Sequence, residues 1–470
     1  MRYRSTPVVT LFATVIAFAP AQAQVYPPEP YQELARELLR ELIEINTTHS
    51  VGDNTAAAQA MADRLLAAGF PAEDVHVIEG APRKGNLVAR LRGRDSGREP
   101  ILLLAHIDVV EADPADWNLD PFTFVEQDGY FYGRGTTDDK DEAAIHVANL
   151  IRMRQEGFVP DRDIIIALTA DEEGGPVNGV QYLLANHPDL VDAEYALNEG
   201  GGGDMRNWER ISNTVQAAEK VYQSFQLEVT NPGGHSSLPR ADNAIYELVH
   251  VLARIEDHTF PVMLNEVSRA YFEASSELVG PRIAAAMRGL LATPPEPGAV
   301  EFLSLTPSFN SRMRTTCVAT MLDAGHAENA LPQRANALVN CRIAPGHDPA
   351  DVRVALLEVA AEPGLTVTPV QAATLSPPSP LTAEVLTPIE RVTQEIWPGV
   401  PVVPNMSTGA TDGLYLRNAG IPVYGVSGLF RDIDDNRAHG QDERIEIRSF
   451  YEGMEFLYRL TRALASPDVS

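Results

Sequence analysis

Two short runs in this chain, Ile101 to Ala105 and Ile164 to Thr169, carry no charged side chain, and each leads directly to imidazole or carboxylate groups. A strand without a polar face must be covered on both sides, and such strands lie inside sheets flanked by helices. Helical periodicity surrounds them. Tyr31 to Thr47 places Leu34, Leu38, Leu39, Leu42 and Ile43 on one face, Asn54 to Ala68 forms a second amphipathic helix, and a third is expected from about Asp139 to Gln155. The pattern predicts an α/β fold. In open α/β sheets ligands bind beyond the carboxyl ends of the strands, which is where His106 and Asp171-Glu172-Glu173 stand.

A chain of 470 residues is expected to divide into two domains, because single cores rarely keep growing to that size. The character of the sequence changes near Lys220. Tyr222 to Val229 alternates, Asn231-Pro232-Gly233-Gly234 makes a turn, and Asn243 to Glu256 is helical. A variable, Pro-bearing segment runs to about Pro307. Strand-like stretches then cover Arg312 to Leu322 and Ala335 to Ile343, followed by a helix from Asp351 to Ala361 and a strand from Gly364 to Pro369. This order predicts an α+β domain over residues 219–370, inserted between residues 24–218 and 371–470 of a larger domain. The stretch Leu375-Ser376-Pro377-Pro378-Ser379-Pro380 returns the chain to that domain. A helix from Ala383 to Trp397, strands at Val402-Val403 and Pro422 to Val426, and a helix from Ile447 to Leu464 complete it.

Residues 1–23 read as a signal peptide: Arg2 and Arg4 form a basic start, Pro7 to Ala19 is apolar, and Ala21-Gln22-Ala23 suits cleavage after Ala23. The apolar run is too short for a membrane anchor, so a periplasmic or secreted protein free of the membrane is expected. The formal charge is −28, more negative still once Arg2 and Arg4 leave with the leader. Such an acidic chain argues against a nucleic-acid or anionic-membrane partner. Cys317 and Cys341 are the only cysteines; export permits a disulfide, and two buried thiols are the alternative.

The ordered set His106, Asp108, Asp138, Glu172, Glu173, Glu199 and His439 carries the chemistry. Imidazole nitrogen and carboxylate oxygen are the ligand types of zinc-like ions, and a glutamate left over beside a ligating one can move a proton. That combination points to metal-assisted hydrolysis. No glycine-rich loop with adjacent Lys and Arg offers a phosphate cradle. His146, His76, His187, His250, His258, His326 and His347 lack ligand-like neighbours and are expected to be structural.

These residues resemble the M20 metallopeptidases, a family that includes glutamate carboxypeptidase, aminoacylase, dipeptidases and carboxypeptidase S. The resemblance covers nearly the whole chain after the leader. It rests on Leu104-Ala105-His106-Ile107-Asp108, on Gly133-Arg134-Gly135-Thr136-Thr137-Asp138-Asp139-Lys140, on Asp171-Glu172-Glu173-Gly174-Gly175, on Asn198-Glu199-Gly200-Gly201 and on Ala438-His439-Gly440-Gln441-Asp442-Glu443. It implies a zinc-exopeptidase-like catalytic domain, with a mixed central sheet flanked by helices, and an inserted α+β lid.

It further implies two divalent ions, zinc by default with cobalt or manganese as alternatives. Asp138 would bridge them, His106 and Glu199 would bind one, and His439 and Glu173 the other. Asp108 would orient His106, Glu172 would act as general base, and a cis peptide would follow Asp138. In the lid, Gly233-Gly234-His235-Ser236-Ser237 resembles the motif whose histidine steadies the oxyanion. Asn329 and Arg342 would grip a substrate carboxylate, and Gly409 and Thr411 belong to a loop lining the pocket. By residue type alone, His235 also fits a backbone-capping turn histidine, and Arg342 a surface strand arginine. Two departures from the family pattern stand out: Asp141 replaces a common glycine, and the segment from about Met263 to Pro307 lengthens the lid, which suggests cover for the surface other members use to dimerise.

The expected activity is hydrolysis of an amide bond next to a free carboxylate, in a short peptide or an N-acyl amino acid, by a monomer or a lid-mediated homodimer. A metal-dependent ester hydrolase and a solute-binding protein on the same scaffold are the other classes compatible with the residues.

Overall fold

The computed structural model describes residues 25–94 and 97–466; the expected leader lies outside them. A ten-stranded mixed sheet forms the centre. Its middle is parallel: Ile101–His106 lies between Ile164–Thr169 and Tyr195–Asn198, and Val423–Gly425 pairs with the latter. Antiparallel strands Lys84–Leu91 and Val75–Ala81 extend one side, and Glu209–Glu219 and Gly203–Arg206 lie on the other.

The uninterrupted apolar runs have a simple cause. Ile101, Leu103 and Ala105 face a core shared with helices Glu29–Glu44, Lys140–Gln155 and Ile447–Ala465, while Leu102 and Leu104 face a second core with Val180, Leu183 and Leu416. Alternate side chains go to opposite faces of a strand, so a strand between two cores has no solvent face to mark with polar residues.

The inserted unit is a four-stranded antiparallel sheet ordered Thr316–Ala324, Arg334–Ile343, Val221–Thr230, Leu365–Pro369. Helices Ala244–Asp257 and Pro349–Ala360 cover one face around Phe225, Leu248, Val251, Val339 and Leu356. Cys317 and Cys341 stand opposite each other on adjacent strands and form a disulfide.

Two expectations change. The Pro-bearing segment is mostly helical, with helices Glu266–Ser276, Pro281–Leu291, Pro297–Ser304 and Pro307–Met313 around their own core of Phe272, Met287, Leu290 and Leu303. Pro281, Pro297 and Pro307 each occupy a helix first turn, where a missing N–H costs nothing. The expected strand from Arg312 therefore begins only at Thr316. Helix Glu266–Ser276 packs on strand Val402–Ser407 of the main sheet, and the edge strand Thr316–Ala324 leaves Val318, Met321 and Leu322 exposed.

Candidate active site

The parallel strands deliver the acidic and imidazole groups to one edge of the sheet. His106 closes its strand in register with Thr169, two residues before Asp171, and Glu199 follows the last residue of strand Tyr195–Asn198. Asp138 precedes helix Lys140–Gln155 and is joined to Asp139 by a cis peptide bond, as the family resemblance implies. His439 sits in the loop between strands Phe430–Asp432 and Arg444–Glu446.

Asp138 stands between the two imidazoles. Its Oδ1 is 2.9 Å from His106 Nε2 and its Oδ2 is 3.0 Å from His439 Nε2. His439 Nε2 also lies 2.7 Å from Glu173 Oε1, and His106 Nε2 lies 4.0 Å from Glu199 Oε1. The contacts thus fall into two sets that share Asp138. Ligand atoms about 3 Å apart suit a common ion with bonds of roughly 2 Å. His106 with Asp138 and Glu173, and His106 with Glu172 and Glu199, each gather their donor atoms within 4.8 Å.

Electrostatics favour the same reading. Among the described residues, no Lys or Arg forms an ion pair with Asp138, Glu172, Glu173 or Glu199, and their charged contacts are with histidines alone. Burial and the charge of Asp138 push Glu199 up to about 8. Burial and the charge of Glu199 push Glu172 well above the usual carboxylate range. Burial opposes ionisation of Asp138 too, but hydrogen bonds from His106 and His439 outweigh it and hold that carboxyl low. The hydrogen bonds to Asp138 and Glu173 raise His439 to about 10. Crowded carboxylates without basic partners, faced by imidazole nitrogens, fit divalent cations by donor type and by charge.

Buried polar groups hold these loops in place. His106 Nδ1 lies 3.0 Å from the Asp108 carbonyl oxygen, and the Asp108 carboxylate accepts the backbone N–H groups of Glu172 (3.1 Å) and Glu173 (3.0 Å). Asp108 therefore ties the second glutamate loop to the first histidine. Lys84 pairs with Asp171 at 2.6 Å, both buried. Glu443 pairs with Arg134 at 2.6 Å and accepts the N–H of Thr137 at 2.8 Å, linking the His439 loop to the residue before Asp138. Asp412 accepts from Asn178 (2.5 Å) and Thr169 (3.3 Å) behind the glutamate loop. The roles of Glu443, Lys84 and Asp412 were not readable from residue type, since a lone acid or lysine in a sequence does not disclose its partner.

The peptidase family M20/M25/M40 matches residues 102–463. The chain belongs to this family. Human N-fatty-acyl-amino acid synthase/hydrolase PM20D1 is 27% identical to this M20 hydrolase over 383 residues, 79% of this chain and 75% of the human protein. Probable carboxypeptidase S-like 2 of Dictyostelium discoideum is 29% identical over 392 residues, 80% of this chain and 74% of that protein. Among solved structures, the M20 family metallo-carboxypeptidase Sso-CP2 from Sulfolobus solfataricus superposes with a TM-score of 0.68 at 18% identity, covering 92% of this chain and 99% of that one. A Bacillus subtilis protein described as a dinuclear metal binding peptidase of the family shares the fold at a TM-score of 0.56, with 12% identity and coverage of 93% and 99%.

The M20 hydrolase carries its other expected site residues farther out. His235 lies on the two-residue strand Gly234–His235, paired with Ala330–Leu331, and Ser236 N–H donates to the Asn329 carbonyl at 3.0 Å. The insert thus brings His235 and Asn329 together, both exposed. Arg342 is half-buried, with its guanidinium 4.6 Å from the Tyr222 ring centre. Among the described residues, none of these three makes an ion pair or hydrogen bond to the His106–Asp138–His439 group. The Thr411 N–H and hydroxyl both donate to Glu219 at 3.0 Å, and the Gly409 N–H donates to Ser407 Oγ at 3.0 Å. That loop is fastened to the scaffold by its own polar groups.

Proposed function

We propose that this M20 hydrolase is an exported enzyme that cleaves the amide bond next to a free carboxylate, releasing an amino acid from a short peptide or an N-acyl amino acid. The relatives named as a carboxypeptidase and as an N-fatty-acyl-amino acid synthase/hydrolase support this class, because both substrate types place a free carboxylate beside the amide. The leader-like start and the Cys317–Cys341 disulfide suit an oxidising compartment. Among the described residues no helix is long and apolar enough to cross a membrane.

The observation that carries the reading is Glu172, an acid without a basic partner, placed beside Glu199 and His106 by backbone bonds to Asp108. His106 and Glu199 would hold one divalent ion, His439 and Glu173 a second, with Asp138 between them. When bound, such ions polarise the carbonyl and acidify water. Glu172 takes the proton of the attacking water as its oxygen bonds to the amide carbon. The same carboxyl then delivers that proton to the leaving nitrogen as the C–N bond breaks, giving a carboxylic acid and a free amine. Arg342 and Asn329 would grip the carboxylate of the departing amino acid, the fork of Arg342 suiting that task. His235 would donate to the developing oxyanion once the insert closes on the substrate, and the Gly409–Thr411 loop would border the pocket. The insert is the surface for any homodimer.

Release of free amino acid from a panel of dipeptides and N-acyl amino acids tests this, using protein as purified, after chelation and after zinc is restored. Release lost with the metal and regained with zinc is expected. No release from any member by zinc-loaded protein would contradict the proposal.

A further inference from the structure

A cavity of about 410 Å³ opens directly from Asp138 and Glu199 and runs to the helices that lengthen the insert. Its floor is bare backbone over Gly200–Gly203, where a Cβ at Gly201 would stand 2.1 Å from the Gly425 carbonyl oxygen. Its far wall holds Tyr271, Arg312 and Asn405, and neither His235, Asn329 nor Arg342 lines it. If the departing amino acid is held by Arg342, as proposed above, this cavity receives the other half of the substrate.

Arg312 is prepared for a ligand. Its guanidinium lies 4.8 Å from the Tyr271 ring centre, Nε donates to Asn405 Oδ1 at 3.2 Å, and Nη1 donates to the Ser308 carbonyl at 3.0 Å. Three contacts fix the plane and, among the described residues, leave Nη2 without a protein acceptor. No carboxylate lies within ion-pair distance of it among the described residues. Six of the other charged groups lining the cavity are carboxylates, Asp138, Asp139, Glu142, Glu199, Asp204 and Asp432, and several charged groups of the wall have protein partners of their own. Arg431 pairs with Asp141 at 3.3 Å, Asp204 accepts from Ser212 at 3.0 Å, and Asp432 accepts the N–H groups of Asn207 (3.2 Å) and Asp434 (3.0 Å). Asp204 is a wall carboxylate on which the Arg312 charge acts, but burial outweighs that charge and the Ser212 hydrogen bond and raises the Asp204 carboxyl. A guanidinium pinned in plane with one edge open suits a carboxylate, whereas an alkyl chain laid along this wall would strip water from charged groups.

We infer that this cavity is the acyl subsite and that Arg312 selects acyl groups ending in a carboxylate. The inference rests on the amide-hydrolase reading and adds the chemistry of the acyl half. The test compares N-acyl derivatives of one amino acid in pairs differing only at the acyl terminus: succinyl against butanoyl, glutaryl against pentanoyl, adipoyl against hexanoyl. With zinc-loaded wild type, kcat/KM should favour the carboxylate member of the best pair by roughly tenfold to a hundredfold, the usual range for a charged hydrogen bond. Arg312→Gln should bring that ratio to within about threefold of unity. Arg312→Lys, which keeps the charge and loses the fork, should also lower it and serves if the glutamine variant does not fold. A wild-type ratio at or below unity in all three pairs, or an unchanged ratio in a folded variant, would overturn the inference and leave amide hydrolysis standing. No turnover of any pair or of dipeptides would overturn both.

Discussion

Around Asp138 the glutamate loop, the Thr137 turn and the His439 loop are tied down by buried charged groups, whereas the exposed His235 stands on a ladder two residues long, with the exposed Asn329 just before its partner strand. Lys84 fixes Asp171, Asp108 fixes the glutamate loop, and the Arg134–Glu443 pair fixes both the Thr137 turn and the His439 loop. Among the described residues no equivalent ion pair braces the His235 strand. Candidate metal-binding groups have to keep their spacing before anything binds, because mutual repulsion of their carboxylates works against it. Groups that close on a substrate have to move instead, and a region with few buried contacts moves at low cost. Buried charged groups thus brace the loops around Asp138 and not the short ladder that carries His235.

Four substitutions probe that contrast. The largest effect is expected at Asp138, which touches both imidazoles: Asp138→Ala should remove bound metal and lower turnover by more than ~10³-fold, since several kcal/mol of transition-state stabilisation depend on the ions. Metal analysis and amino acid release on one preparation check this. Next is Glu443→Ala, which strands Arg134 in the interior and should cost about 3–5 kcal/mol of stability by chemical denaturation. Weaker metal retention should accompany it; unchanged stability would show that the bracing around the site is not what holds it. His235→Ala should lower kcat by ~10²–10³-fold, the usual cost of one oxyanion donor. It should leave stability within about 0.5 kcal/mol, as expected for an exposed side chain. A large loss of stability there would erase the distinction between the two regions. Smallest for turnover is Cys341→Ala: the disulfide closes 24 residues of sequence separation, and its loss should destabilise the insert by roughly 2–4 kcal/mol while metal content stays at the wild-type level.

The same contrast governs what could be read from the sequence. Strands Ile101–His106 and Ile164–Thr169 were legible because burial on both faces leaves them wholly apolar, and their carboxyl ends pointed to His106 and Glu172. Glu209–Glu219 was not, because it buries Asn213, Gln216 and Glu219 among polar partners and shows neither alternation nor an apolar run. The four helices after Met263 were hidden for another reason. Their prolines read as breaks, although Pro in a first turn starts a helix as readily as it ends one. Arg312 was lost with them, since a residue assigned to a strand in the insert is not looked for in the wall of the catalytic cavity. The partner of each bracing charge was illegible in principle: Arg134 and Glu443 are brought together only by the fold.

The central claim is that Glu172 moves the proton beside an intact two-ion site. Metal content and amino acid release measured together on Glu172→Ala test it most directly. The account predicts two ions per chain, as in wild type, and turnover reduced by ~10²–10⁴-fold, the range for a general base. Turnover within a few-fold of wild type at full metal content would contradict it.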